Sequence, residues 1–590
     1  MGGFYPGSAA GSASETAHSP TRPVWRYYGG PARTGPTRTC HRSMPMRTRR
    51  LTPRSSAVRH HAGVPDATGL LARLDIPGAV AEELSRRNRL LPRRYDDDVL
   101  SREPEAVVSW AVPRIRKGVP ARREEVVLAR KGWRGLRPLS VLALTDRIAY
   151  RAHVTLLSES LPDRVLSRGR NAEFKQAPLD VEETRYVLQT DVASFFQYVD
   201  HELLGDELVA QTGDEPAVEA LLALLGGITG KRVGIPQIST ASDVLGDVYV
   251  DSVRRELARA GLSVFRYADD FRVACPSLGA ALGALERCDA AVRALGLTLN
   301  ERKTLTFARR RYADSLGAFA RKEAELFGGD GDGDLSDLNG PYGDGAVSAG
   351  DVEAALGLSP TEPAGLEDND ALAHDGSQDG PDSRTVRAAS RAFDLWLLED
   401  EGAEAQSTQD AAITQSLLSR ALPLLGRAGD AEALDSLEAM LTHEPAVTPQ
   451  ICEYLVALAG SSAEAARSVR DAVDDVVGSD VISPWQAMWL ADAAGGLPRR
   501  RGGQWPGKHI DWLQTCVAEG APGVSATAAM ALGRRRKGDP AVLAAALGRV
   551  GDGWRPLLYL GLSLLDPAAA DSAADGALDR LLLASARHEA

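Results

Sequence analysis

Apolar positions in this chain follow a two-residue period in some stretches and a helical period in others. Phe265 and Tyr267 stand two apart, as do Phe271, Val273 and Cys275. That spacing predicts strands over residues 262–267 and 271–275, each with a half-buried face, joined by a tight turn at Ala268-Asp269-Asp270. The same period predicts a strand at Tyr186–Asp191, and a hairpin of residues 124–129 and 136–142 around a turn at 130–135. A helical period predicts helices over 145–157, from His201 to about Gln211, and over 277–295. The turn Gly234-Ile235-Pro236-Gln237 opens another helix, with Val244, Leu245, Val248 and Val253 on one side. Residues 297–305 lead from a turn into a strand. Leu70, Leu71, Leu74, Ile76, Val80 and Leu84 predict short helices near the start of the patterned region.

Two stretches lack any such pattern. Residues 1–65 are rich in Gly, Ser, Pro, Thr and Arg, and Glu15 is the one acid among the first sixty. This composition predicts a disordered basic tail; an over-extended start, with Met44 or Met46 as initiator, is the competing reading. Residues 327–385 are Gly-, Asp- and Pro-rich and acidic, which predicts a linker or a degenerate thumb region, with a short helix at 349–356. Its Asp-Gly-Asp-Gly-Asp run is similar to a calcium loop, but Pro341 stands where a chelating Glu belongs. Between these stretches lies a folded region at 66–326. After them, residues 386–590 form an Ala/Leu-rich succession of helices, including 411–425, 431–441, 449–458, 463–477, 485–494, 524–532 and 541–550. This alternation resembles a HEAT-like helical-repeat domain; an irregular helical bundle is the alternative.

Composition narrows the function classes. With 590 residues the chain is too long for one core. A formal net charge of -12 argues against a generally basic nucleic-acid coat. The average hides a basic block at Arg86, Arg87, Arg89, Arg93 and Arg94, continued by Arg114, Arg116, Lys117, Arg122 and Arg123. Five scattered cysteines with no CxxC suit a reducing cytoplasm and argue against a zinc module. No apolar run is long enough to span a bilayer, so no membrane partner is expected.

The chemistry lies in the carboxylates. Asp269 and Asp270 are adjacent at a hairpin tip, and Asp191 ends a strand. Like charges this close repel, so one carboxyl stays protonated unless a cation lies between them. An Asp-Asp pair alone is an ordinary surface turn; its aromatic and apolar flanks are what a solvated turn does not need. If the strands are neighbours in one sheet, the three acids converge on divalent ions suited to nucleotidyl transfer. The cationic hairpin 124–142 could fold over a triphosphate, or be a solvated basic loop.

Five blocks then occur in a set order: Arg137-Pro138-Leu139 with Asp146-Arg147; Asp191 through Phe196 to Val199-Asp200-His201; Gly234-Ile235-Pro236-Gln237; Tyr267-Ala268-Asp269-Asp270; and Leu295-Gly296-Leu297 with Lys303-Thr304. This order resembles the prokaryotic reverse transcriptases of the group II intron and retron kind. With the helical C-terminal half, it is most similar to the phage-defence members of the abortive-infection and unknown-group sets. The resemblance implies an α+β right-hand polymerase, with fingers and palm built on antiparallel sheet, followed by the all-α repeat domain. It implies an RNA-directed DNA polymerase acting on dNTPs in antiphage defence, with RNA template and DNA product as partners and two Mg²⁺ (or Mn²⁺) ions as cofactor. Asp191, Asp269 and Asp270, with the backbone carbonyl of Val192, are the implied metal ligands. Lys303 is the implied proton donor to pyrophosphate, Arg137 and Lys131 the triphosphate contacts, Gln237 the nucleotide contact, and Phe196 the bulky gate that admits dNTP over rNTP. Phe196 as a plain core residue is the alternative. Asn300 reads as a cap or turn residue. The family continues Pro-Gln with Gly, whereas Ile238 stands here. Untemplated, protein-primed synthesis by the same site and an inactive palm serving as a scaffold remain competing readings, and the helical domain is a candidate surface for homo-oligomers.

Overall fold

A computed structural model describes residues 67–118, 120–131, 135–166, 171–316, 381, 383–400, 408–479, 481–498 and 507–587. The expected basic tail, the calcium-like run, the short helix at 349–356 and nearly all of the acidic linker lie outside the described residues. So does the tip of the first hairpin, residues 132–134.

Among the described residues, six strands make two antiparallel sheets. β1 (Glu125–Lys131) and β2 (Gly135–Val141) form a two-stranded hairpin. β3 (Tyr186–Asp191), β4 (Ser263–Tyr267), β5 (Asp270–Cys275) and β6 (Leu305–Ala308) form a four-stranded sheet in the order β4-β5-β3-β6. The alternating pattern explains its two faces. Leu188 pairs with Val273 and Thr190 with Phe271, and this face packs under the helices Thr240–Arg259 and Leu278–Ala294. Val244, Leu245, Val248 and Val253 are all buried, as their spacing predicts. The opposite face carries Gln189, Asp191, Asp270 and Arg272. The helix Asn171–Asp180 crosses it and was not anticipated; its Phe174 ring lies 5.1 Å from the Arg272 guanidinium.

The C-terminal region is largely helical. The helices Thr408–Ala428, Thr448–Ser461, Pro484–Gly496, Pro522–Arg535 and Arg555–Leu565 pack each on the next, and shorter helices lie beside them. Of the predicted helices, 431–441 is instead a 3₁₀ turn, Glu432–Ser436, running into Leu437–His443. No helix of the described residues is long and apolar enough to cross a membrane.

One hydrophobic core joins the N-terminal helices, the β1–β2 hairpin and the C-terminal helices of the described residues. Ile76, Val80 and Val107 from the N-terminal helices, Ala129 and Leu139 from the β1–β2 hairpin, and Trp485, Trp489 and Leu557 from the C-terminal helices belong to it. Polar contacts reinforce the junction. Trp485 Nε1 donates to the Leu90 carbonyl at 2.7 Å, and Gly553 N donates to the Glu125 carboxylate at 3.0 Å. Arg94 donates to the Gly553 carbonyl at 2.9 Å and lies over the Trp554 ring.

Asp146 fixes the approach to the hairpin. Its buried carboxylate accepts the backbone N–H of Arg122 at 2.7 Å. Burial, with a smaller push from Asp552, raises its pKa from 3.8 to about 6, against the hydrogen bond and charge of Arg122. A raised carboxyl pKa means the folded chain holds the proton more tightly than the unfolded one. The stabilising proton is therefore present below about pH 4 and lost as pH rises through about 6, a loss of up to about 3 kcal/mol. Asp146→Asn is expected to flatten stability between those pH values, read by thermal unfolding at each pH; an unchanged pH profile contradicts this role.

Candidate active site

The carboxylate site is built by strand register. Asp191, the last residue of β3, pairs with Asp270, the first residue of β5, so both side chains leave the sheet on one face. Asp269 belongs to the two-residue loop between β4 and β5, whose first residue, Ala268, has a left-handed φ of 47°. That conformation costs a non-glycine residue of order 1 kcal/mol, so the surroundings must hold it. Arg266 does so. It donates to Asp247 at 2.6 Å, to the Ala268 carbonyl at 3.0 Å and to the Val165 carbonyl, and both partners of the Arg266–Asp247 ion pair are almost fully buried.

One oxygen from each of Asp191, Asp269 and Asp270 lies within 4.8 Å of the others. Asp191 and Asp270 are buried and Asp269 is half-buried. Lys303 Nζ is 3.3 Å from Asp191 Oδ2, and Arg272 Nη1 is 3.6 Å from Asp270 Oδ1. Burial, then the charges of Asp191 and Asp270, push the Asp269 carboxyl well above the ordinary carboxylate range, although Lys303 opposes this. Burial lowers the Lys303 pKa, but the three carboxylates outweigh it and leave the ammonium more firmly protonated than usual. Three crowded carboxylates with incomplete cationic compensation fit a hard divalent cation, which takes oxygen ligands.

Comparison with known proteins bears on this geometry. Residues 129–323 match the family model described as reverse transcriptase (RNA-dependent DNA polymerase). These residues form a reverse transcriptase domain. Its enzyme class is RNA-directed DNA polymerase, a nucleotidyltransferase. A solved structure of telomerase from Candida tropicalis, in complex with a TWJ fragment of telomeric RNA, is similar at 12% identity and a TM-score of 0.25, over 65% of this chain and 67% of that one. No curated protein matches the chain.

Within the reverse transcriptase domain, Asn300 is the residue that sequence reasoning undervalued. Read as a cap or turn, it donates Nδ2 to Asp191 Oδ2 at 3.1 Å and its backbone N to the Asp191 carbonyl at 2.7 Å. Its position four residues before Thr304, whose hydroxyl meets Thr190 at 2.7 Å, is the only sequence signal for this. Ala193 N donates to the Thr298 carbonyl, and Val192 forms a bridge opposite Leu299. In that bridge type the Val192 carbonyl points to the other edge of the strand, toward the Ala268-Asp269 side.

The remaining expected residues fall into two groups. The Phe196 backbone and the loop that carries Gln237 are brought together. Ile235 N donates to the Phe196 carbonyl at 2.8 Å, and His201 Nε2 donates to the Gly234 carbonyl at 2.6 Å. Gly234 has a φ of 89°, and a Cβ there would lie 3.2 Å from the Gln197 carbonyl oxygen, so the loop requires glycine. Phe196 is half-buried, its ring 5.3 Å from that of buried Phe195. Gln237 N donates to Ser140 Oγ at 3.0 Å, tying the loop to β2. Ile238 holds a φ of 72°, a genuine outlier for a β-branched residue. Arg137 and Lys131 form the second group. By strand alternation they share the hairpin face of Ala129 and Leu139, which packs into the core with the C-terminal helices, and Ser140 leaves the other face.

Because metal ligands must be deprotonated, divalent-ion affinity is expected to rise with pH, with the raised Asp269 carboxyl giving up its one proton as the site fills. Mn²⁺ titration at about pH 6 and about pH 9 checks this; equal affinities would contradict it.

Proposed function

We propose that the chain synthesises DNA from dNTPs on an RNA template, with two Mg²⁺ ions held by Asp191, Asp269, Asp270 and the Val192 carbonyl. The observation that carries this reading is the convergence of three carboxylates from two strands and a loop within 4.8 Å. When bound, the ions supply charge neutralisation and activation of the attacking hydroxyl. The chain's own groups do the rest. Asn300 and Lys303 orient Asp191, and the Arg266–Asp247 pair holds Asp269 at the hairpin apex. Lys303 is the proton donor to departing pyrophosphate in this reading, supported by its position 3.3 Å from Asp191 and by the carboxylates that keep it protonated. Phe196, fixed beside the Gln237 loop, is the gate against a 2′-hydroxyl, and Gln237 contacts the incoming nucleotide. Arg137 and Lys131, the expected triphosphate contacts, stand on the hairpin face opposite Ser140 and the Gln237 loop, so this reading gives them no contact with the nucleotide.

The finer assignments follow the resemblance. The stacked C-terminal helices begin at Thr408, Thr448, Pro484, Pro522 and Arg555, a spacing close to the roughly 40 residues of a HEAT repeat. We read this region as a repeat domain that serves antiphage defence in the cytoplasm and offers a surface for homo-oligomers. A second reading, untemplated synthesis primed from a protein hydroxyl, is favoured by one observation: Ile238 keeps the left-handed backbone of a glycine but adds a branched side chain beside Gln237.

Asp269→Ala with Asp270→Ala should lower dNTP incorporation by roughly 10³-fold or more while the thermal unfolding curve persists, since the ions contribute several kcal/mol to the transition state. The same variant should no longer protect cells plated with phage. Retained incorporation sinks the site assignment. Sequencing product made with and without a defined RNA separates the two synthetic readings: copied sequence is expected, and sequence indifferent to the RNA establishes the untemplated one.

A further inference from the structure

The family match ends at residue 323, yet a loop more than two hundred residues beyond it grips the base of the β1–β2 hairpin. Gly551, Asp552 and Gly553 precede the helix Arg555–Leu565 and close on the start of β1 and the end of β2. We propose that this loop is a positioning element of the polymerase centre: by gripping the hairpin base it sets where Gln237 stands, and so how tightly the incoming dNTP binds. The proposal rests on the reading of Gln237 as the nucleotide contact.

The grip is a close one. Glu125 and Val141 are cross-strand partners at the base of the hairpin. Gly553, itself buried, meets both. Its N–H donates to the Glu125 carboxylate, and a Cβ there would lie 2.9 Å from Glu125 Oε1 and 3.2 Å from the Val141 carbonyl oxygen. A Cβ on Gly551 would lie 2.6 Å from the same Glu125 oxygen. A side chain at 551 would therefore displace the carboxylate, and one at 553 would press on the strand backbone as well. Burial pushes the Glu125 carboxyl up, and the amides of Gly553 and Gly551 oppose this, so two backbone N–H groups cradle its charge. Between the glycines, Asp552 takes Arg122 at 3.0 Å. That ion pair is exposed and adds little by itself, which leaves the cradle as the principal polar tie.

The hairpin base adjoins Gln237. Ser140 immediately precedes Val141, and its hydroxyl accepts the Gln237 N–H at 3.0 Å. The peptide unit between Ser140 and Val141 is rigid, so a shift forced on Val141 moves Ser140 with it. On the other side of Gln237, Ile238 packs against the core that the hairpin shares with the C-terminal helices. Ile238 keeps its left-handed φ of 72° only because its surroundings hold it. Gln237 thus stands between a strand that Gly553 touches and a residue seated in the core of the helical array.

The test is Gly553→Ala in the full chain, read by dNTP incorporation kinetics and by hydrogen exchange of the peptide that carries Gln237. The KM for dNTP is expected to rise at least about threefold with kcat held within about twofold. Exchange at the Gln237 peptide is expected to quicken by about tenfold, with the helix Thr408–Ala428 unchanged. If Gly553→Ala unfolds, Glu125→Gln, which removes the charge from the cradle and keeps its shape, should move KM and exchange in the same direction. A folded variant with unchanged KM overturns the proposal, and so does a raised KM with unchanged exchange at Gln237. A fall in kcat at constant KM marks a merely structural junction and equally overturns it. If the unmodified chain incorporates no dNTP, the synthesis reading fails, and exchange alone decides: quickened exchange at Gln237 upholds the positioning role and unchanged exchange overturns it.

Discussion

The antiparallel register of β3 against β5 is the constraint on which the centre depends. It sets Asp191 opposite Asp270, 79 positions later in the chain, and both on the sheet face away from the helices Thr240–Arg259 and Leu278–Ala294. A slip of one residue would turn one of the two carboxylates toward the apolar side. What prevents the slip is the other face. Leu188, Val273 and Phe271 are fully buried, and moving any of them to the open side would expose apolar surface worth about 1.5–3 kcal/mol for each side chain.

That arrangement leaves the folded chain with concentrated negative charge. Two of the three carboxylates are buried, and the cations near them, Lys303 and Arg272, are fewer than the acids. Arg272 is itself wholly buried, so its role is electrostatic and steric together, with Phe174 across its face. Buried ion pairs are weak evidence for stability, since desolvation offsets their attraction. They are better understood here as geometry: Arg266 and Asp247 hold a backbone bend at Ala268 that Asp269 needs to face its partners.

The strands, the hairpin and the carboxylate trio were legible because each has a short, local signal. Alternation at Phe265, Tyr267, Phe271 and Val273 marked the strands, and burial agrees for the last three. The helix Asn171–Asp180 was not legible: it carries a proline and lacks a clear apolar stripe, and it forms over the sheet by tertiary packing. Asn300 was missed for a related reason. A short polar side chain after a leucine reads as a turn, and its bond to Asp191 spans more than a hundred residues. The faces of Arg137 and Lys131 were out of reach of motif order, which assigns a residue type to a role but not a side chain to one side of a hairpin.

The core shared by the β1–β2 hairpin and the C-terminal helices has a mechanical consequence. Ala129 and Leu139 are buried in one core with tryptophans that come more than three hundred residues later. The hairpin is thus not a free flap: moving it away from the helical array would expose Ala129 and Leu139 to water. Trimming away the array would leave that oily underside facing water, so the two parts of the chain share their solubility as well as their core.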